Sequence, residues 1–405
     1  MPTSYRARLG LVLAVGALVR VGLAFGTHGL VFDLQSYVLV DHGLGQHPLH
    51  VYALVNSPSL FRWPYLSGFF PLILLTRGIA AITGLAFTSL IRLPAIAGDL
   101  AIAVVVQGFL ARRGAPETRR LAAAAVVALG PLFIATAGYD GQFDSLAILP
   151  VVVALCVWDR LPVGRRELVA GGLIGLGCAL KTFPLLMMLA LLPSCTSARE
   201  GLRLVVASLA IPVLAIAPWL IADWHPVTKA IGYHSLAGTG GISLLAQPNL
   251  AGIWLGGPYA HLTGVSRALQ GTLGTIVLAV PVAAAAGAAW ALRLRSGQTA
   301  TLLWVTLFAF SVNFGPRYAL WGIPFFLLSG HLWKSVALQL ILLVPTILLR
   351  AAPFANHDVL YVYVPMMILV WAAFLVAALI TVRRLLQTSR LGPTGRLPAS
   401  LAGDR

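Results

Sequence analysis

Long apolar runs recur along this sequence, and several approach the ~20 residues that an α-helix needs to cross a bilayer. Only 10% of the 405 residues are charged, whereas a soluble domain has about 25%. A backbone in lipid must satisfy its own hydrogen bonds, so spans are either helices or a closed barrel. The runs lack the alternation of apolar and polar residues that barrel strands show. The sequence therefore predicts an all-α, polytopic membrane protein.

The formal net charge is +16, which in a soluble protein would indicate a nucleic-acid partner. Here the basic residues cluster in short segments between apolar runs, as the positive-inside rule predicts for cytoplasmic loops. No nucleic-acid partner is therefore expected. The clusters are Arg112/Arg113/Arg119/Arg120, Arg160/Arg165/Arg166, Arg199/Arg203, Arg293/Arg295 and Arg383/Arg384/Arg390.

Neighbouring cytoplasmic clusters must be separated by an even number of crossings, which predicts about 12 spans with both termini in the cytoplasm. The segment 66–86 does not fit this count. It carries Pro71 and a central Arg77, which is costly in mid-bilayer, so we expect an interfacial or re-entrant helix at the outer leaflet. The alternative is a true span, which would place Arg112 and Arg113 outside.

This topology predicts a single transmembrane domain over residues 1–390. Long outer loops are expected at about 28–89 and about 224–268, with interfacial helices among them. The tail at 391–405 is rich in Pro and Gly and is expected to be a disordered cytoplasmic segment.

Acidic side chains are scarce, with 12 Asp and Glu in total. The predicted topology places Asp99 in a span, and it places six others at or above the outer membrane face: Asp33, Asp41, Asp140, Asp144, Asp223 and Asp358. An acid inside or at the edge of an apolar span is a functional candidate. Any chemistry is therefore expected at the outer face.

Asp33 follows the first span directly, inside an outer loop that is too long for a simple connector and too aromatic for a disordered one. A carboxylate at this rim could act on the polar end of a lipid. The alternative is an N-cap for the helix "LQSYVLVDHG", and the sequence leaves both open. Tyr37, Arg62, Gln142 and His234 are candidate substrate-binding residues, although a structural role is favoured for His234.

Two cations fall on the outer side, against the positive-inside trend. Lys181 in "GLGCALKTFPLL" and Arg317 in "SVNFGPRYALWG" each lie at a helix break. A phosphate ligand would explain them, because Arg offers a bidentate fork and Lys a point charge. The alternatives are snorkelling of Lys181 to the interface and pairing of Arg317 with an acid at the rim.

Four segments in this order resemble the GT-C superfamily of integral-membrane glycosyltransferases, which use polyprenyl-phosphate-linked sugars. They are "FDLQSY" after the first span, "RLPAIAGDL" at the start of the next span, "GQFDSLAILP" followed by "GLGCALKTFPLLMMLALLP", and "GPRYALWGIPFF". Each motif is weak alone, and their order and spacing over about residues 30–330 carry the resemblance.

The resemblance implies a hexosyltransferase that inverts the anomeric carbon and moves a sugar to an acceptor hydroxyl, with mannose as the favoured sugar. Asp33 matches the general base of the family, which takes the acceptor proton. Asp144 matches the acid of the GQ-aromatic-Asp segment, whereas Asp140 stands where many relatives have an aromatic residue. Lys181 and Arg317, with the neighbouring Tyr318, match positions near the donor phosphate, whose departure needs positive charge.

The resemblance also implies no cofactor, although Asp140 and Asp144 leave a divalent metal open. The implied partners are a polyprenyl-phosphate sugar donor, a glycan or glycolipid acceptor and membrane lipids. The implied location is the plasma (inner) membrane, with the site on its extracytoplasmic face.

A ligase using a lipid-pyrophosphate donor should carry a large soluble domain, and none follows the spans here. A lipid or small-molecule transporter or flippase should carry its acids and helix breaks near mid-membrane, where only Asp99 is predicted.

Overall fold

The computed structural model describes residues 4–56, 61–233, 238–246, 263–351 and 357–390. The described residues form helices, turns and loops and contain no β-strand, which confirms the all-α prediction. Among them, seven helical stretches are long and apolar enough to cross a membrane: Tyr5–Gly26, Phe87–Arg112, Glu117–Asp140, Ala198–Ala222, Thr272–Ala291, Leu332–Arg350 and Tyr361–Arg384. The chain is therefore helical and suited to a membrane, and the expected count of about 12 spans remains a prediction.

The chain divides into two compact units, Met1–Met188 with Cys195–Tyr233, and Leu189–Ser194 with His234–Arg405. The described helices of the first unit are α1 (Tyr5–Gly26), α2 (Val31–Gln46), α3 (Val51–Val55), α4 (Phe70–Thr83), α5 (Phe87–Leu90), α6 (Leu93–Arg112), α7 (Glu117–Ala128), α8 (Pro131–Phe133), α9 (Asp144–Val157), α10 (Arg165–Leu180), α11 (Ala198–Ala222) and α12 (Trp224–Ile231). A π-helix at Ile134–Asp140 follows α8. Short 3₁₀ helices lie at Pro48–His50, Ser67–Phe69, Trp158–Arg160 and Phe183–Ala190.

The second unit contains α13 (Ser243–Ala246), α14 (Gly264–Leu269), α15 (Thr272–Ala291), α16 (Ser296–Phe310), α17 (Ile323–Leu328), α18 (Leu332–Ala351) and α19 (His357–Arg390) among its described residues, with 3₁₀ helices at Leu192–Ser194 and Pro316–Gly322. Its core is aromatic. Phe308 and Phe374 stack with ring centroids 5.3 Å apart, and the edge of Trp304 meets Phe374 at 5.3 Å. Trp371 donates from Nε1 to the carbonyl of Ala309 at 2.9 Å, which ties α19 to α16.

Small residues allow the helices of the first unit to approach closely. A Cβ on Gly171 of α10 would lie 2.6 Å from the Cβ of Ala207 in α11, and one on Gly175 would lie 2.8 Å from the carbonyl oxygen of Ser208. Close backbone approach through small residues is the packing that membrane helices favour, since lipid supplies no hydrophobic drive between helices. This contact fixes α10, which carries Lys181 at its C-terminal end.

The segment predicted as the first outer loop is ordered in its described part, as its aromatic residues predict. Phe69 stacks on Phe143 with centroids 4.1 Å apart and an angle of 14° between the rings. Trp63 stacks on the same Phe143 at 5.9 Å. Tyr37 of α2 donates its hydroxyl to the carbonyl of Gly141 at 2.9 Å. This aromatic cluster holds the first loop against the turn at residues 141–143.

Two segments with uncertain topology are helical but are not among the seven long stretches. Residues Ser67–Thr83, within the segment 66–86, form a shorter apolar helix, and its interfacial position stays a prediction. The helix break expected at Lys181 is present: α10 ends at Leu180, and a 3₁₀ helix begins at Phe183. The single domain over 1–390 also stays a prediction, and the tail at 391–405 lies outside the described residues.

Candidate functional site

Asp33 lies in the first turn of α2, directly after the loop that ends α1. Leu30 is the N-cap of α2, so Asp33 is inside the helix and the N-cap alternative is wrong. The helix starts earlier than "LQSYVLVDHG" because Gly29 adopts a φ of +66°, which turns the chain from α1 into α2 within four residues. A carboxylate in a first turn is favoured by the helix dipole. Only 7% of Asp33 is exposed.

Arg62 lies beside Asp33. Its Nη1 donates to the carbonyl of Phe32 at 3.2 Å, and its guanidinium carbon lies 4.0 Å from the centre of the Phe32 ring. Burial lowers the pKa of Arg62, and the nearby charge of Asp33 raises it. The charges of the two residues therefore act on each other at the start of α2, and Arg62 remains half-buried.

The side chain of Asn56 holds the backbone at Arg62 and Trp63. Its Oδ1 accepts from the Arg62 backbone N–H at 3.2 Å and from the Trp63 N–H at 2.9 Å, and its Nδ2 donates to the Trp63 carbonyl at 2.9 Å. Asn56 is 4% exposed. Three hydrogen bonds from one buried amide fix the chain where it presents Arg62 to α2.

The segment "GYDGQFD" is a π-helix followed by a tight turn. The π-helix ends at Asp140, Gly141 adopts a φ of +73°, and α9 begins at Asp144. The backbone N–H of Gln142 closes the turn by donating to the Thr136 carbonyl at 3.0 Å. The two aspartates therefore lie on opposite sides of a turn rather than on one helix face. Irregular helical turns of this kind are frequent at functional sites.

Two buried arginines hold this segment in place. Arg20 of α1 pairs with Asp99 of α6 at 2.9 Å and donates to the Val127 carbonyl at 3.0 Å and to the Ala128 carbonyl, which are left open at the end of α7. The other carboxylate oxygen of Asp99, Oδ1, accepts a hydrogen bond from the hydroxyl of Ser145 in α9. Asp99 therefore joins α6 to α1 and α9.

Arg92 makes the second connection. It donates to the Leu23 carbonyl at 3.2 Å, to the Thr27 carbonyl at 3.2 Å and to the Gly138 carbonyl at 3.3 Å. It thereby joins the end of α1 to the π-helix, and the charge of Asp140 acts on it. Asp140 is fully buried, which places this carboxylate next to a structural arginine. The sequence analysis missed Arg20 and Arg92, although an arginine inside an apolar span is a usable signal.

Lys181 is paired with Asp144. Its Nζ lies 2.7 Å from Asp144 Oδ1 and donates to Gln142 Oε1 at 3.1 Å. The ammonium also lies 4.7 Å from the ring centres of Tyr65 and Phe143. The Lys181 side chain is 4% exposed and that of Asp144 is fully buried. Asp144 therefore holds Lys181 and compensates its charge beside two aromatic rings.

A cavity of about 440 Å³ opens beside α2. Its described lining comes from the end of α1, from one face of α2 and from the residues before α6: Phe25, Gly26, Thr27, His28, Val31, Leu34, Gln35, Val38, Ala86, Thr88 and Ser89. The face of α2 that carries Asp33 is the opposite one, because residues two apart on a helix point about 200° apart. The predicted acids are not part of this described lining.

The other predicted residues lie elsewhere. Arg317 and Tyr318 belong to the 3₁₀ helix of the second unit, where the guanidinium carbon lies 5.6 Å from the Tyr318 ring centre. Tyr318 packs on Trp321 with centroids 4.9 Å apart. His234 lies outside the described residues. Within the parts of the chain that the structure describes, no three His, Cys, Asp or Glu side chains group closely enough to hold a metal ion.

Comparison with known proteins gives one finding. No match was found among curated proteins or among solved structures. A family model described as Glycosyltransferase family 87 matches residues 66–314, which is more than half of the chain. The match covers the π-helix, Asp144 and Lys181, whereas Asp33, Arg62 and Arg317 lie outside it. The chain therefore belongs to glycosyltransferase family 87.

Proposed function

We propose that this protein is an inverting glycosyltransferase that moves a sugar from a polyprenyl-phosphate donor to an acceptor hydroxyl, with mannose as the favoured sugar. The site would lie at the extracytoplasmic face of the plasma membrane. The observation that carries the proposal is that a glycosyltransferase of family 87 has a carboxylate, Asp33, in the first turn of α2, directly after its first apolar helix. We propose that this carboxylate meets the head group of a lipid-linked sugar.

In this proposal Asp33 is the general base. An inverting transfer needs one carboxylate that takes the acceptor proton as the hydroxyl oxygen attacks the anomeric carbon. The bond between that carbon and the phosphate oxygen breaks, and its electron pair leaves with the polyprenyl phosphate. No general acid is required, because positive charge near the phosphate stabilises the departing oxygen. Asp33 lies in the first turn of α2, where the charge of Arg62 also acts.

The buried pair of Lys181 and Asp144 fits a supporting role in this reaction. Because Asp144 compensates the charge of Lys181 at 2.7 Å, the pair offers little net charge to a phosphate. We propose that it fixes the turn at 141–143, including Gln142, against the first loop. Asp140 would act in the same way through Arg92. Arg317 and Tyr318 remain candidate ligands of the donor phosphate in the second unit, because their residue types suit an oxyanion.

The test is transfer by the purified protein in proteoliposomes. Polyprenyl-phosphate mannose, glucose and arabinose are offered with a glycolipid acceptor, and products are detected by mass. We expect product from one of these donors and none from a nucleotide sugar. Product from the nucleotide sugar alone would overturn the proposal. Movement of intact donor across the bilayer without a new glycosidic bond would instead indicate the transporter alternative, which no comparison supports.

The matched variants are Asp33→Asn and Asp41→Asn, both on α2. Loss of the general base should lower the transfer rate by about 10² to 10⁴-fold, with the protein still folded. Asp41 pairs with Arg77 at 3.4 Å, so its variant makes the same change of charge away from the proposed site and should keep its activity. Undiminished transfer by Asp33→Asn would remove Asp33 from the mechanism.

A further inference from the structure

Arg62 combines three properties that distinguish it from the other cations of the first unit described above. It is half-buried rather than enclosed, the charge of Asp33 acts on it, and its guanidinium carbon lies over the ring of Phe32, 4.0 Å from the ring centre. A guanidinium carries five N–H donors, and Nη1 of Arg62 uses one of them on the Phe32 carbonyl. A half-buried arginine in this position can present further donors to an oxyanion that approaches the start of α2.

The loop that carries Arg62 is built to hold this position. The buried Asn56 side chain donates one hydrogen bond to the Trp63 carbonyl and accepts two from the backbone N–H groups of Arg62 and Trp63. The Trp63 ring is fully buried against Phe143 and Phe69. The backbone under Arg62 is thus anchored on both sides, and only the side chain projects. A preorganised donor binds an anion with less loss of freedom than a mobile one.

Lys181 lacks these properties. Its ammonium is enclosed by Tyr65 and Phe143, is 4% exposed, and has Asp144 at 2.7 Å. A phosphate could reach it only by displacing that carboxylate, which would leave Asp144 as an uncompensated buried charge. Resemblance to a family motif favoured Lys181 as a phosphate ligand, whereas burial and pairing favour Arg62.

We propose that Arg62 is the residue of the first unit that binds the phosphate of the polyprenyl-linked donor, with Asn56 as its positioning residue. This inference rests on the proposed function and deepens it. The ligand chemistry is a phosphodiester that becomes a phosphomonoester when the sugar leaves, so the negative charge on the phosphate grows during the reaction. A guanidinium at this point stabilises the products of bond breaking more than the bound donor.

The same contact would bring donor binding and proton transfer to one point of the chain, because the charges of Arg62 and Asp33 act on each other at the start of α2. The acceptor proton moves to Asp33 as the new carbon–oxygen bond forms, while the electron pair of the broken bond leaves on the phosphate that Arg62 binds.

The experiment measures the binding of undecaprenyl phosphate, undecaprenol and inorganic phosphate to the full-length protein in nanodiscs. The variants are Arg62→Gln, Arg62→Lys and, as a matched control, Arg77→Gln on α4. Loss of a charge-assisted contact should weaken undecaprenyl phosphate binding by roughly 10- to 100-fold in Arg62→Gln. Arg62→Lys should recover part of this loss, and Arg77→Gln should bind as the unchanged protein does. Undecaprenol binding should be the same in every variant.

Transfer kinetics separate a binding role from a structural one. Arg62→Gln should raise the KM for the donor and lower kcat, with the KM for the acceptor unchanged, and its thermal unfolding midpoint should match that of Arg77→Gln. Asn56→Ala should reproduce part of the donor defect without any change of charge.

Four results have distinct meanings. If the unchanged protein does not bind undecaprenyl phosphate, the proposed function itself fails. If it binds but Arg62→Gln binds within about threefold of it, less than half of one charge-assisted contact, the assignment of Arg62 is overturned. If undecaprenol binding falls as much as phosphate binding, or both KM values rise together, Arg62 is structural. If Arg62→Gln loses inorganic phosphate binding by the same factor as undecaprenyl phosphate binding, the phosphate group alone accounts for the contact with Arg62.

Discussion

The pair of Lys181 and Asp144 shows how much a single buried contact can determine at the scale of residues. Both side chains are buried, and the ammonium lies 4.7 Å from the ring centres of Tyr65 and Phe143. Breaking such a pair from one side leaves an uncompensated buried charge, which costs about 3–5 kcal/mol, whereas replacing both partners by apolar residues is often neutral. Stability and substrate binding can therefore be separated at this position.

We predict that Lys181→Met and Asp144→Leu each lower the unfolding midpoint in detergent strongly, and that the double variant recovers most of the loss. The expected single-variant cost is about 3–5 kcal/mol, and the coupling between the two sites should be of similar size. Thermal unfolding followed by fluorescence measures this. Full stability of Lys181→Met combined with lost donor affinity would instead make Lys181 a phosphate ligand.

At this scale the sequence was informative about residue types and less so about their partners. Asp33, Asp144 and Lys181 stand out because charges next to apolar runs are costly. The pairing of Lys181 with Asp144 joins positions 37 residues apart. No local pattern specifies that contact, because it depends on how α9 and α10 pack.

At the scale of elements, the π-helix at Ile134–Asp140 depends on its neighbours for its shape. A Cβ on Gly138 would lie 3.0 Å from the Cα of Arg20 and 3.2 Å from its carbonyl oxygen, so α1 and the π-helix touch through backbone atoms. Apolar periodicity and length identify helices such as α6 and α11 from the sequence alone. The same reasoning cannot identify a π-helix, because the hydrogen bonds of Arg92 to the Gly138 carbonyl and to the end of α1 stabilise it from outside.

We predict that Gly138→Ala destabilises the protein by about 1–3 kcal/mol, because the added methyl group must displace the backbone of α1. Gly22→Ala on α1 is the control, since a Cβ there meets nothing within 4 Å. It should be neutral or slightly stabilising, as Ala is the better helix former. Equal unfolding midpoints for the two variants would contradict the close approach of α1 and the π-helix.

At the scale of the whole molecule, the proposed orientation can be tested through single cysteines. His47 lies just after α2, and Thr118 lies in the first turn of α7, and both are exposed. If the outer loops and the basic clusters lie on opposite faces, His47→Cys should react with an impermeant maleimide added outside sealed cells. Thr118→Cys should react only after the membrane is opened.

The native cysteines Cys156 and Cys178 are buried, and the Cys195→Ser background removes the more accessible third one. Labelling of Thr118→Cys from outside would reverse the orientation and would also favour the alternative in which Arg112 and Arg113 are external. The number of spans depends on the placement of every loop by the positive-inside rule. The helical class depends only on the length of the apolar runs and on their lack of alternation.

The contacts of Arg20 have a consequence for the order of membrane insertion. During synthesis α1 emerges first, and it carries an arginine that costs about 2.5–3.5 kcal/mol at the centre of an inserting helix. The carboxylate that compensates it, Asp99, is made 79 residues later, and the carbonyls of α7 that it also binds are made later still. The first helix must therefore be held by the insertion machinery, or remain near the interface, until α6 and α7 arrive. Replacing Arg20 by leucine should speed early insertion of α1. In the finished protein, Asp99 would lose the arginine that compensates its charge.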